Sequence, residues 1–141
     1  GVLALAGMPV LDRLTLRDLP EVGDAAMPTL GTMPKLRRLY LHELTSVGDE
    51  GLASLADATE LAVLDIWSLP RMTNATVEVI AGLPKLKELS IRETGTSPEA
   101  LEMILGIDTL ETLVFKNGDV PADLVEKVKA DRKWRKLDLG Q

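Results

Sequence analysis

A chain of 141 residues with 22 acidic and 16 basic side chains carries a net charge of −6, which repels phosphate backbones and argues against nucleic acid or anionic membranes as partners. It has no cysteine, so disulfides, thiolate metal sites and cysteine nucleophiles are excluded together. Apolar residues make up 45% but aromatics only 3%, so the core must be aliphatic and the large rings, Tyr40, Trp67, Phe115 and Trp134, stand out.

At the start of the chain, Val2-Leu3-Ala4-Leu5-Ala6 is too short to cross a bilayer and lacks the basic start of a signal peptide. It matches Leu52 to Ala56 and Val77 to Ala81, and so reads as the tail of an earlier repeat. A chain that opens on Gly inside a repeat is expected to be a trimmed fragment of something longer.

From there a phrase recurs six times: Leu11-Asp-Arg-Leu14-Thr-Leu16, Leu36-Arg-Arg-Leu39-Tyr-Leu41, Leu61-Ala-Val-Leu64-Asp-Ile66, Leu86-Lys-Glu-Leu89-Ser-Ile91, Leu110-Glu-Thr-Leu113-Val-Phe115 and Trp134-Arg-Lys-Leu137-Asp-Leu139. The spacings are 25, 25, 25, 24 and 24 residues, a period that marks a stacked solenoid. The fourth and sixth positions alternate with polar ones, as in a short strand with one buried face. A return of nearly twenty residues to the same edge makes successive strands parallel.

The second half of each unit carries a helix signal. Asp24, Asp49 and Asn74 precede short apolar segments and are expected to cap those helices. Ser97-Pro98-Glu99 is expected to start the fourth helix, with Pro at its first position. Pro28 lies four residues after its presumed cap, so the first of these segments should be short or irregular. Trp134 stands where the other phrases begin with Leu and is expected to close the open end of the core. One domain results: a tail at 1–7, repeats at 8–32, 33–57, 58–82, 83–106 and 107–130, and a partial unit at 131–141.

This combination of L-x-x-L-x-L, then Leu19, Leu44 or Leu69, then Val22-Gly-Asp24, Val47-Gly-Asp49 or Met72-Thr-Asn74, resembles the leucine-rich repeat family over essentially the whole chain. Within it the units are similar to the ribonuclease-inhibitor-like and cysteine-containing types, although the latter's Cys position holds Leu19, Leu44, Leu69, Thr94 and Gly118 here. The resemblance implies an α/β solenoid, a right-handed horseshoe with a parallel concave sheet of about six short strands and helices on the convex side. It also implies a recognition scaffold rather than an enzyme.

In that arrangement the residues between the leucines climb the concave sheet in columns. The third positions are Arg13, Arg38, Val63, Glu88, Thr112 and Lys136; the fifth are Thr15, Tyr40, Asp65, Ser90, Val114 and Asp138; the seventh are Arg17, His42, Trp67, Arg92, Lys116 and Gly140. An outward indole among cations is the most pointed signal, because Trp, Tyr and Arg are enriched at binding hot spots. The candidate partner-binding residues are therefore Arg13, Arg17, Arg38, Tyr40, His42, Asp65, Trp67, Arg92 and Lys116. The plainer reading of the same column is a surface cation–π pair of Trp67 and Arg92, with Asp18, Glu43 and Glu93 neutralising the cations.

Other features take structural readings. His42 is the single histidine, with no Ser or Cys placed to be activated by it, so neither a metal site nor a catalytic base is expected. Asn74-Ala75-Thr76 fits a glycosylation sequon, but a helix cap explains Asn74 without a sugar. Lys127, Lys129, Arg132, Lys133, Arg135 and Lys136 read as a solvated helix end.

The expected function is a non-enzymatic module, free of cofactors, that binds a protein or peptide through the concave sheet. The competing reading is a structural fragment that self-associates through an open N-terminal end, with Leu3 and Leu5 exposed there. No cysteine and no targeting segment lean toward the cytoplasm, and the compartment stays open.

Overall fold

The computed structural model describes residues 11–140, so Leu3, Leu5 and the tail at 1–7 lie outside the described residues. Six strands, β1 (Arg13–Arg17), β2 (Arg38–His42), β3 (Val63–Leu69), β4 (Glu88–Thr94), β5 (Thr112–Lys116) and β6 (Lys136–Asp138), form one sheet in sequence order. All neighbours are parallel, and the register places equivalent positions side by side, as in Arg17↔His42↔Trp67↔Arg92↔Lys116. The three columns read from the period are thus columns of the folded sheet.

The alternation works as the phrase requires. Leu14 and Leu16, Leu39 and Leu41, Leu64 and Ile66, Leu89 and Ile91, and Leu113 and Phe115 all point into one aliphatic core. The opposite layer consists of a 3-10 segment (Asp24–Thr32), α1 (Asp49–Leu52) continued by a 3-10 turn (Ala53–Asp57), α2 (Asn74–Ala81), α3 (Ala100–Ile104) and α4 (Ala122–Asp131). Pro28 sits inside the 3-10 segment, which is irregular as expected but not short. Met27, Leu30 and Met33 still bury fully from it, because what the core needs is their spacing rather than α geometry. At the far end Trp134 packs half-buried against the core, and its Nε1–H donates to the Val128 carbonyl at 2.7 Å.

The expected caps are corrected in an instructive way. The helix-capping positions are one residue earlier, at Gly23, Gly48 and Thr73, and only Thr73 caps with its side chain, accepting from the Ala75 N–H. Asp24, Asp49 and Asn74 instead reach into the next unit. The Gly48 N–H donates to Asp24 Oδ1 at 2.8 Å, the Thr73 N–H to Asp49 Oδ1 at 2.8 Å, and the Ser97 N–H to Asn74 Oδ1 at 3.0 Å. One short acceptor per unit therefore satisfies the turn of its successor, a ladder that locks the stacking.

A second such clamp sits near the C-terminal end. Asn117 Oδ1 accepts from the Thr94 N–H at 2.6 Å while its Nδ2–H donates to the Ile91 carbonyl at 3.0 Å. Arg132, expected to be part of a solvated basic run, is a structural side chain instead. Its guanidinium donates to the carbonyls of Leu105, Ile107 and Leu110 at 2.8, 2.6 and 3.1 Å, which lie in the segment between α3 and β5. The fourth helix starts later than expected: α3 begins at Ala100, although bonds from Ala100 N–H to Ser97 O and from Leu101 N–H to Pro98 O already turn the chain there.

The turn at Thr94 to Pro98, in the first of the 24-residue units, depends on a glycine. A Cβ at Gly95 would lie 2.7 Å from the Met72 carbonyl oxygen and 3.1 Å from that of Pro70, both backbone atoms that cannot swing aside. Gly95→Ala should therefore destabilise the fold by about 1–3 kcal/mol through overpacking, seen as a lower urea midpoint at unchanged slope. A midpoint equal to the wild type's would show that the turn has room.

Candidate functional site

In each of the first four units the residue after the seventh column is a non-glycine in the left-handed region: Asp18 and Glu43 just past β1 and β2, and Ser68 and Glu93 near the ends of β3 and β4, have φ of 50°, 56°, 59° and 54°. Such a conformation costs roughly 1–2 kcal/mol per residue. It is held where the chain turns off the sheet. The Asp18 N–H still donates to the His42 carbonyl at 3.0 Å and the Glu43 N–H to that of Trp67 at 2.8 Å. The residue just before each bend is a seventh-column residue, so the backbone that presents His42, Trp67 and Arg92 is flanked by a paired strand on both sides, and that of Arg17 by β2.

Trp67 is the hub. The guanidinium carbons of Arg17 and Arg92 lie 5.7 and 5.8 Å from its ring centroid, and the His42 imidazole meets it edge-on at 5.7 Å. Tyr40 continues the cluster, 6.3 Å edge-on from His42, with Arg13 at 5.1 Å from its own centroid. A half-exposed indole between two guanidiniums is a preformed aromatic platform with few rotamers left to lose.

The carboxylates are arranged differently from expectation. Glu43 does approach Arg17, at 3.8 Å. Arg92, however, leans across to the preceding strand, where Asp65 Oδ1 lies 3.5 Å from its Nη2, and Asp65 Oδ2 lies 3.4 Å from His42 Nε2. Asp65 therefore faces both Arg92 and His42 of the seventh column, and Glu93 does not take the neutralising role assigned to it for Arg92. Lys116 pairs with Asp138 at 3.1 Å. The Asp138 carboxyl is held below its ordinary value first by the Gly140 N–H and then by Lys116. Arg38 stands in the third column between Arg13 and Val63 and joins none of these contacts.

Two polar atoms of the cluster are left over. His42 Nε2, with Asp65 Oδ2 at 3.4 Å, and Arg92 Nε are buried and form no hydrogen bond of good geometry. Both flank Trp67. Beside the cluster, Tyr40, Val63, Asp65, Glu88, Ser90 and Val114 line a shallow depression in the sheet. Sequence reasoning missed this depression, since the smallness of Ser90 between Tyr40 and Val114 gives it shape, and no motif marks that. It missed Arg132 for a related reason, because a run of basic residues does not reveal which one folds back.

Among the described residues, no group of three or more His, Asp or Glu is placed to hold a metal ion, and no helix is long and apolar enough to cross a membrane. A scan against protein-family models finds no match, and a search of curated proteins finds none. Among solved structures the chain is similar to the crystal structure of an internalin from Listeria monocytogenes, with 17% identity and a TM-score of 0.56. The match covers 100% of this chain and 51% of the internalin chain, so this chain spans about half of that structure's length. Parallel strands in sequence order, a helical layer on one face and this likeness together make the fold an α/β leucine-rich-repeat solenoid.

Proposed function

We propose that this chain is a non-enzymatic interaction module that binds a protein or peptide through its concave sheet, centred on Trp67, His42, Arg92 and Tyr40. The observation that carries the reading is the Trp67 platform, an indole held between two guanidiniums and an imidazole on the sheet face left free by the helical layer. The aromatic and Arg side chains gathered there are of the types that dominate binding energies. Six strands at roughly 4.8 Å spacing make a ramp of about 25 Å, enough for the ~800 Å² per partner of a standard interface. Arg13, Arg17, Arg38, Asp65 and Lys116 form the charged surround that sets the register of the partner.

The same reading assigns the repeats to the ribonuclease-inhibitor-like type, supported by unit lengths near 25 residues and a helical layer in most units. The unit boundaries at 8–32, 33–57, 58–82, 83–106, 107–130 and 131–141 go with it. Affinity capture tests the function: the intact chain should retain a partner that a Trp67→Ala, Arg92→Ala double variant loses, and equal retention by both would remove the concave face from the account.

One observation favours a second reading, a structural unit that self-associates at its N-terminal end. Leu19 is the large apolar side chain left 36% exposed among the described residues, and it lies beyond β1, the first strand of the sheet. Sedimentation at micromolar concentration should then show a dimer that Leu19→Glu dissolves, whereas a monomer throughout removes this reading.

A further inference from the structure

The depression beside the Trp67 cluster has a volume of about 160 Å³. One water needs only ~10–15 Å³ on this measure, and whole small-molecule sites run to ~300–1,000 Å³, so the space suits a single large side chain. Its walls come from two columns: Val63, Glu88 and Thr112 at third positions of β3, β4 and β5, and Tyr40, Asp65, Ser90 and Val114 at fifth positions of β2 to β5. Ser90 has the smallest side chain in its column and opens the floor between Tyr40 and Val114.

The charge of this depression is one-sided. Asp65 is already directed to His42 and Arg92. Glu88 is not committed: its register neighbours are Val63 and Thr112, and it makes no ion pair with any described residue. A half-buried Glu88 against apolar walls, with Thr112 beside it, Ser90 two residues along its strand and no cation of its own, is complementary to a long side chain with an apolar stem and a cationic, multiply donating head.

The geometry points to this depression as the seat for one arginine side chain of the protein or peptide partner, with its methylenes against Val63 and Val114 and its guanidinium at Glu88. Guanidinium fits better than ammonium because its planar fork meets a carboxylate with two parallel N–H donors and leaves others for the Ser90 and Thr112 hydroxyls. An acidic side chain at the same place would meet Glu88 and Asp65 and be repelled. This inference rests on the concave sheet being the binding face.

The test is an NMR titration of the methyl-labelled chain with N-acetyl-arginine methylamide, its citrulline counterpart and its lysine counterpart. The arginine probe should produce saturable shifts of the Val63 and Val114 methyls in the millimolar range, as befits one side chain without the rest of a partner. Citrulline, the lysine probe and the Glu88→Gln variant should each weaken the response about tenfold, the scale of one charge-assisted contact. Absent or non-saturable shifts, equal binding of citrulline or lysine, or indifference to Glu88→Gln would overturn the assignment. Failure here is distinguishable from failure of the broader function. A partner lost with the Trp67 and Arg92 changes while the titration stays silent removes only the arginine seat; a positive titration with a partner indifferent to those changes removes only the Trp67-centred reading.

Discussion

Asp49→Ala should lower stability by about 2–3 kcal/mol, or about 6–12 °C in Tm, although Asp49 lies at the edge of the helical layer and not in the core. Its carboxylate accepts from the Thr73 N–H at 2.8 Å, the Thr73 hydroxyl at 2.6 Å and the Thr76 hydroxyl at 2.6 Å. Thr76 is fully buried, so removing its acceptor leaves an unsatisfied hydroxyl inside the protein. The loss falls on the contact between the second and third units, and in a solenoid each unit is held only by its neighbours. Asp49→Asn should cost about half as much, because its amide oxygen still accepts from the Thr73 N–H.

The same carboxylate makes stability depend on pH. Burial opposes ionisation of Asp49, but hydrogen bonds from the side chains and backbone of Thr73 and Thr76 outweigh it and hold the carboxyl below its ordinary value. A depressed folded-state value means stabilisation that is present above the unfolded value of about 3.9 and is lost as pH falls through the folded one. Urea midpoints of the wild type and Asp49→Asn should therefore differ fully at pH 7 and converge below about pH 4. A gap that stays constant to pH 3 would contradict the ladder as described.

Trp67→Ala should weaken a captured partner by about 30-fold or more, corresponding to a hot-spot loss of ≥2 kcal/mol, while changing stability by about 1 kcal/mol. The two effects separate because Trp67 is only half-buried and packs on the surface, against Arg17, His42 and Arg92 rather than the leucine core. Arg92→Ala should add less than its single value to Trp67→Ala, since the two side chains touch and share Asp65 as a neighbour through His42. Calorimetry on the single and double variants checks both statements. A partner that tolerates Trp67→Ala within a factor of two would place its binding energy elsewhere.

The columns were legible in the sequence because a parallel sheet built from units of nearly constant length can only stack like on like. Arg17, His42, Trp67, Arg92 and Lys116 could be aligned by counting and are register neighbours in the fold. What counting cannot show is where a long or polar side chain leans. Arg92 turns to Asp65 on the strand before it, lying over Trp67 on the way, rather than to Glu93 beside it. Asp24, Asp49 and Asn74 occupy positions one residue away from true caps, and within a single unit the two roles look alike.

Quenching of Trp67 fluorescence tests the central claim most directly. In a Trp134→Phe variant Trp67 is the single indole of the chain, and acrylamide should quench it readily in the free protein. Saturating captured partner should shift its emission to the blue and cut the quenching constant several-fold, because the concave platform becomes buried in the interface. Unchanged emission and quenching at saturation would show that the partner binds away from Trp67, and the concave-face account would fail.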